Sequence, residues 1–165
     1  MFSDSLLARA ARLLEVCRGQ GLLLATAESC TGGLVAALLT EVPGSSAVVD
    51  RGFVTYSNDA KVEMLGVSPA MIAAEGAVSE AVARAMATGV LRNTRADIAV
   101  SVTGIAGPGG GTASKPVGLV HFACARRDRD DVAVACRFGD LGRGGIRLAS
   151  VMQALDMIER AITRP

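Results

Sequence analysis

The 165-residue chain has no tryptophan, one tyrosine (Tyr56), one histidine (His121) and four phenylalanines. Aromatics make up 3% of it, too few for the stacked aromatic faces that hold single-stranded nucleic acid. Neither sign of charge is in excess: 17 basic against 16 acidic residues leave a formal net charge of +1. That balance lacks the basic footprint that duplex nucleic acid or an anionic membrane attracts. No nucleic-acid partner and no membrane partner is therefore expected. No uncharged apolar run approaches the ~18–20 residues needed to span a bilayer. Phe2-Ser3-Asp4 has neither the basic segment nor the apolar run of a secretory signal, so a cytoplasmic location is expected.

Metal-binding chemistry is also scarce. The four cysteines, Cys17, Cys30, Cys124 and Cys136, form no CxxC pair, and His121 has no histidine partner. A structural zinc site needs four ligands, usually at short paired spacings. Cys17, Cys124 and Cys136 stand among apolar neighbours and read as core thiols. Lysine is the other scarcity: Lys61 and Lys115 are the only two, against fifteen arginines. A lysine can be desolvated and lose its proton, whereas a guanidinium cannot.

What is present is apolar and alternating. Half the residues are hydrophobic and 20% are charged, which excludes a charge-rich disordered chain. A chain of this length is one domain by size (1–165) and buries roughly 70% of its unfolded surface. Ser3 caps a first helix whose stripe runs Leu6, Leu7, Ala10, Leu13, Leu14 and Cys17, ending at Gly21. Leu22 to Ala27 is a short apolar run, as in a strand buried on both faces. A helix restarts from Leu34 to Thr40, and Ala47 to Tyr56 is extended. Asn58 caps a short helix through Leu65. Ser68-Pro69 starts another, to Ala74, and Ser79 caps a longer one through about Leu91. Ile98 to Thr103 is a strand. Val117 to Ala125 and Val132 to Phe138 form an antiparallel pair about the polar turn Arg126 to Asp131. Arg143 or Gly145 opens a last helix to Ile162. Strands alternating with helices predict an α/β fold with helices on both faces of a sheet that the hairpin makes mixed.

Ligands in such sheets bind beyond the carboxyl ends of the strands. Two loops there carry chemistry. In Thr26-Ala-Glu-Ser-Cys-Thr-Gly-Gly33 a hydroxyl and a thiol occupy a strand-to-helix turn. Its glycines admit close backbone approach, and the next helix aims free N–H groups at the turn. Ser29 is a candidate nucleophile; Ser29 or Thr31 as a simple helix cap is the other reading. Cys30 is a rival nucleophile at a helix start. A serine needs a base. His121 lies in a strand pattern, which leaves Lys61 or Lys115, unless these are solvated. The second loop, Val102 to Gly111, resembles a phosphate cradle but lacks the GxxxxGK[ST] ending; a flexible crossing loop is the alternative. Arg143 and Arg147 are spaced to pair with a phosphate, or to be solvated or bridge to acids.

Thr26-Ala-Glu-Ser-Cys-Thr-Gly-Gly33, Tyr56-Ser-Asn-Asp-Ala-Lys61, Gly76-Ala-Val-Ser79, Ser101-Val-Thr-Gly-Ile-Ala-Gly-Pro-Gly-Gly-Gly111 and Lys115-Pro-Val-Gly118 together resemble the C-terminal domain of the CinA competence-damage proteins, the nicotinamide mononucleotide deamidase family. The resemblance covers nearly the whole chain in order, and the chain looks like the free-standing form. It implies a three-layer α/β/α sandwich with a mixed, mostly parallel sheet. It implies hydrolysis of the carboxamide of nicotinamide mononucleotide to nicotinate mononucleotide and ammonia, within pyridine-nucleotide salvage. Ser29 matches the nucleophile and Lys61 its general base. Tyr56 and Thr103 match residues lining the site, and Arg143 matches a site arginine. The family's Gly-Asp-Arg becomes Gly139-Asp-Leu-Gly-Arg143 here, with two extra residues. Substrate contacts are also expected from Glu28, Cys30, Thr31, Gly32, Gly33, Gly104 and Gly107. Backbone N–H groups at Cys30 to Gly33 would hold the oxyanion. The Glu28 carboxylate would favour the cationic pyridinium ring, or orient Lys61, or cap a turn. No metal or organic cofactor is required. Another small-molecule amidase or esterase, or a non-catalytic nucleotide-binding module, are the alternatives. The apolar first and last helices suit an interface between two copies, so a homodimer is expected.

Overall fold

The computed structural model describes residues 2–163. Along the chain run α1 (Asp4–Gln20), β1 (Leu24–Glu28), α2 (Leu34–Thr40), a single 3₁₀ turn (Ser45–Ala47), β2 (Val49–Val54), α3 (Asn58–Leu65), α4 (Pro69–Glu75), α5 (Glu80–Asn93), β3 (Ile98–Gly104), β4 (Leu119–Arg126), β5 (Arg129–Arg137) and α6 (Gly142–Thr163). The sheet has the order β2-β1-β3-β4-β5. β1 pairs in parallel with both β2 and β3, β4 opposes β3, and β5 opposes β4. Four of the five strands therefore point the same way, with β4 alone reversed. This is the mixed, mostly parallel sheet of the expected three-layer sandwich.

Two cores flank the sheet, and the strands separate them by residue size. Leu24, Ile98, Val100, Val102, Val120 and Phe122 pack against α1, α2 and α6, with Leu14, Leu38, Ile146 and Leu155 among the facing residues. The alternate positions Ala25, Ala27, Ala99, Ala123 and Ala125 pack against Met86, Val82, Val90 and Leu65 of α5 and α3. Period-2 alternation puts the large side chains on one face and alanines on the other. The alanine face lets α5 sit close to the sheet. α5 also lies tight on α3: a Cβ added at Gly89 would stand 2.2 Å from the Leu65 carbonyl oxygen.

Helix starts follow the serines. Ser3, Ser68 and Ser79 each accept an N–H from the residue three further on. At α3 the expectation is off by one residue: Ser57, not Asn58, is the cap, and its Oγ accepts from the Ala60 N–H at 3.0 Å. Ser57 is extended while Asn58 is already helical. The hairpin is also tighter than the charged run Arg126 to Asp131 predicts, because Arg126 pairs directly with Arg129. β5 is an edge strand with alternating burial, so charges on its outward side do not interrupt it. Arg127 turns back to donate to the carbonyls of Leu91, Thr94 and Ala96 at the end of α5. Cys17 and Cys124 are buried as expected; Cys136, on β5, is only half-buried. Among the described residues no helix is long and apolar enough to cross a membrane.

Candidate active site

Ser29 is the first residue past the carboxyl end of β1. Its N–H donates to the Val102 carbonyl of β3 at 2.9 Å, so the ladder fixes its backbone. Its carbonyl accepts from the Gly32 N–H at 3.0 Å, which closes the turn. Gly32 (φ 59°) and Gly33 (φ 94°) both adopt the left-handed region, where a side chain is strained. Neither Ser29 nor Thr31 caps α2. The cap is Glu28, whose Oε2 accepts from Gly33 and Val35 N–H and whose Oε1 accepts from the Ala36 N–H. Capping by the preceding glutamate leaves the Ser29 hydroxyl free for another partner.

That partner is Lys61. Its Nζ lies 3.2 Å from Ser29 Oγ, 2.8 Å from the Thr55 carbonyl oxygen and 3.4 Å from the Ser57 carbonyl oxygen. The side chain reaches back from the first turn of α3 past its own helix start, and only 1% of the residue is exposed. No carboxylate pairs with it among the described residues. Burial lowers its pKa from the usual lysine range, opposed by the neighbouring Cys30. Two carbonyls fix two N–H bonds of the amine. The remaining tetrahedral position, a proton or a lone pair, points at Ser29 Oγ.

The other candidate bases are elsewhere. Lys115 donates to the Glu75 carbonyl at the end of α4, at 2.6 Å. His121 sits in β4 opposite Thr103, with its Nδ1 buried and unpartnered and its pKa lowered first by burial and then by Lys115. The rival nucleophile Cys30 is buried, and burial pushes its thiol up to about 11. A thiol at that value is protonated near neutrality, so the helix start does not activate it.

A cleft of about 260 Å³ opens over Ser29, lined by Cys30, Tyr56, Gly104, Gly107 and Arg143 among others. Arg143 spans its mouth, donating to the Gly107 carbonyl and to the Tyr56 hydroxyl, both at 2.9 Å. A second cleft of about 360 Å³, lined by Pro108, Val117 and Asp140, shares Arg143. The chain thus brings the β1 turn, the residues before α3, the glycine-rich loop and the start of α6 to one place.

Other expected contacts are not in the cleft. Glu28 is completely buried and both its oxygens are held by the chain, so it does not face a ring in the cleft. Thr103 is buried, and its hydroxyl donates to the Ala77 carbonyl at 2.7 Å, tying β3 to the residues before α5. Thr31 is buried with its Oγ1 unpartnered. Arg147 donates to the Thr31 carbonyl and so braces the turn instead of facing a ligand with Arg143. Of the four N–H groups expected to hold an oxyanion, those of Gly32 and Gly33 already have acceptors. Those of Cys30 and Thr31, beside the Cys30 sulfur, have no carbonyl or carboxylate acceptor among the described residues. Sequence reasoning missed the Thr55 and Ser57 carbonyls, which are backbone groups with no side-chain signature. It also missed the brace at Arg147. Among the described residues no group of three or more His, Cys, Asp or Glu is placed to hold a metal ion.

Residues 7–162 match the CinA C-terminal domain. A CinA-like protein of Mycobacterium marinum is 53% identical over 140 residues, 85% of this chain and 33% of that protein. One from Chloroherpeton thalassium is 61% identical over 111 residues, 67% of this chain and 26% of that protein. The chain spans about a third of the length of the curated relatives it matches. Among solved structures, the competence/damage inducible protein CihA of Agrobacterium tumefaciens superposes with a TM-score of 0.96 at 52% identity, covering 99% of each chain. A CinA superfamily protein of Escherichia coli gives 0.90 at 31% identity, covering 98% of this chain and 94% of that one.

Proposed function

The chain belongs to the CinA C-terminal domain family, and from that premise we propose that it is an amidase that hydrolyses the carboxamide of nicotinamide mononucleotide, with Ser29 as nucleophile and Lys61 as general base. One observation carries the reading: a buried lysine with no carboxylate partner whose amine lies 3.2 Å from a serine hydroxyl in a strand-to-helix turn. An exposed or ion-paired lysine would stay charged and be no base; burial without a counter-charge favours the neutral amine.

The chemistry follows from the geometry. Neutral Lys61 accepts the Ser29 proton as Oγ attacks the amide carbon. The oxyanion takes the Cys30 and Thr31 N–H groups, the two in the turn that meet only the Cys30 sulfur and no carbonyl or carboxylate. Lys61 then gives its proton to the departing nitrogen, and ammonia leaves. A water gives its proton to Lys61 and attacks the Ser29 ester; Lys61 returns that proton to the departing Ser29 Oγ, and the acid leaves and ionises to the carboxylate. Gly104 and Gly107 line the far side of the cleft; their missing side chains make room for Val120 and Val117. A guanidinium has five N–H donors. Arg143 commits two of them to Gly107 and Tyr56, and the rest serve the substrate phosphate.

Another small-molecule amidase or an esterase could use the same pair. Comparing ammonia release from nicotinamide mononucleotide, its riboside and simple aliphatic amides at equal concentration separates these readings. The nucleotide should be turned over fastest. Preference for an amide without phosphate, or hydrolysis confined to esters, would overturn the assignment. Activity should survive chelation and desalting, because no step uses a metal.

A further inference from the structure

The turn that carries Ser29 is rooted in a carboxylate that faces neither solvent nor cleft. Glu28 closes β1 and is completely buried. Its Oε1 accepts from the Ala36 N–H at 2.8 Å and the Thr26 hydroxyl at 3.2 Å; its Oε2 accepts from the Val35 N–H at 3.0 Å and the Gly33 N–H at 3.1 Å. Its backbone works in the other direction. The Glu28 carbonyl accepts from the Thr55 N–H at 2.9 Å, and the Thr55 carbonyl in turn accepts from Lys61 Nζ at 2.8 Å.

One residue thus joins the supports of both reacting groups. Its side chain sets where α2 begins, and so the shape of the turn from Ser29 to Gly32. Its main chain sets the carbonyl that aims the lysine. The turn has need of such an anchor. Gly33, at the cap position of α2, makes no side-chain cap, and both glycines adopt left-handed conformations with no side chain to restrain them. The negative charge of Glu28 is met by the N–H groups at the start of α2 and not by Lys61.

We propose that Glu28 is the positioning residue of the Ser29–Lys61 pair: it holds the serine hydroxyl on the amine by anchoring both supports, and it touches neither substrate nor reacting atoms. The proposal rests on the reading of Ser29 and Lys61 given above. Glutamine at this position keeps the size but replaces one accepting oxygen with an NH₂ group that opposes N–H donors. The loosened turn then misplaces Oγ, and displacements on this scale cost about 10- to 100-fold in rate.

The test is the rate at which phenylmethanesulfonyl fluoride modifies Ser29, read by peptide mass in the parent and in Glu28→Gln. It needs no assumption about the amide substrate. With only two lysines in the chain, ¹³Cε-lysine NMR follows the Lys61 titration in the same samples. Glu28→Gln should label about 10- to 100-fold more slowly, with the Lys61 midpoint unchanged. On the nucleotide amide the same factor should appear in kcat, with KM within about twofold. Labelling at the parental rate would overturn the proposal. So would a Lys61 midpoint that moves with the loss, which makes Glu28 an electrostatic partner, or a loss confined to KM, which makes it a substrate contact. If Ser29 of the parent itself resists the reagent, the pair is wrong and the proposal falls with it. If Glu28→Gln does not fold, Thr26→Val removes one of the four donors and should slow labelling about two- to fivefold; an unchanged rate would overturn the proposal.

Discussion

The Lys61 amine stands 3.2 Å from the Ser29 hydroxyl across 32 residues of sequence, and the carbonyls of Thr55 and Ser57 hold it there. Both carbonyls belong to the short segment between β2 and α3. The parallel pairing of β2 with β1 brings that segment alongside Ser29. The amine and the hydroxyl are thus positioned by the sheet itself, and their alignment depends on the amine's tetrahedral shape.

That dependence predicts the fate of arginine at position 61. Lys61→Arg keeps the charge but presents a planar group that holds its proton under all ordinary conditions. It should be nearly as inactive as Lys61→Ala in a steady-state assay. A substantial fraction of parental activity in Lys61→Arg, with unchanged thermal melting, would return Lys61 to a binding role.

The lowered pKa of Lys61 has two consequences of opposite kind. With the neutral amine as the proposed base, kcat should rise with pH through the lowered pKa and then level off. For stability, the unfolded chain binds this proton up to about 10.4 while the folded chain releases it earlier. Between those two values the unfolded state holds more protons, so stability rises with pH. Urea unfolding of the parent and Lys61→Met at several pH values should show the parent gaining on the variant across that window. A parent that loses ground there would mean the folded pKa is raised.

Cys30 invites a direct check because it neighbours Ser29 in sequence and in the cleft. With its thiol at about 11 it is protonated near neutrality. Cys30→Ala should retain most of the activity, and iodoacetamide at neutral pH should label the parent slowly. An inactive Cys30→Ala with normal melting would make the thiol a participant.

Much of this arrangement was legible in the sequence, for reasons that differ by residue. The strands could be read because their apolar runs are short and bounded by turns, and α1, α4 and α5 because a serine caps each. Ser29 and Lys61 could be singled out by residue chemistry and scarcity. Choosing Lys61 over Lys115 took the family resemblance, because only pairing of β2 with β1 brings Lys61 to the serine. Glu28 was the least legible. A carboxylate in a polar, glycine-containing turn looks like a ligand for a cation, and only the burial of its four contacts shows it to be a helix cap. Thr103 misled for a related reason: its hydroxyl is turned onto Ala77, inside the protein. The charged run Arg126 to Asp131 hid the first three residues of β5, because an edge strand tolerates charge.

Among the described residues Arg143 is the one cationic side chain lining the cleft over Ser29, and its bonds to Tyr56 and Gly107 set where it points. Arg143→Ala should raise KM for the nucleotide far more than it lowers kcat, if the phosphate is held equally in ground and transition states. The penalty should shrink for the riboside, which has no phosphate. Tyr56→Phe, which frees one end of the guanidinium, should give a smaller effect of the same kind. Equal penalties on nucleotide and riboside would remove Arg143 from phosphate recognition.

The central claim is that Ser29, prepared by Lys61, opens the amide of nicotinamide mononucleotide. Ammonia release from that compound by the purified parent chain and by Ser29→Ala, side by side, tests it most directly. The parent should release ammonia and nicotinate mononucleotide in equal amounts. Ser29→Ala, with unchanged melting, should be slower by at least ~10³-fold, since the covalent route is lost. No ammonia from the parent, or ammonia at the parental rate from Ser29→Ala, would contradict the account.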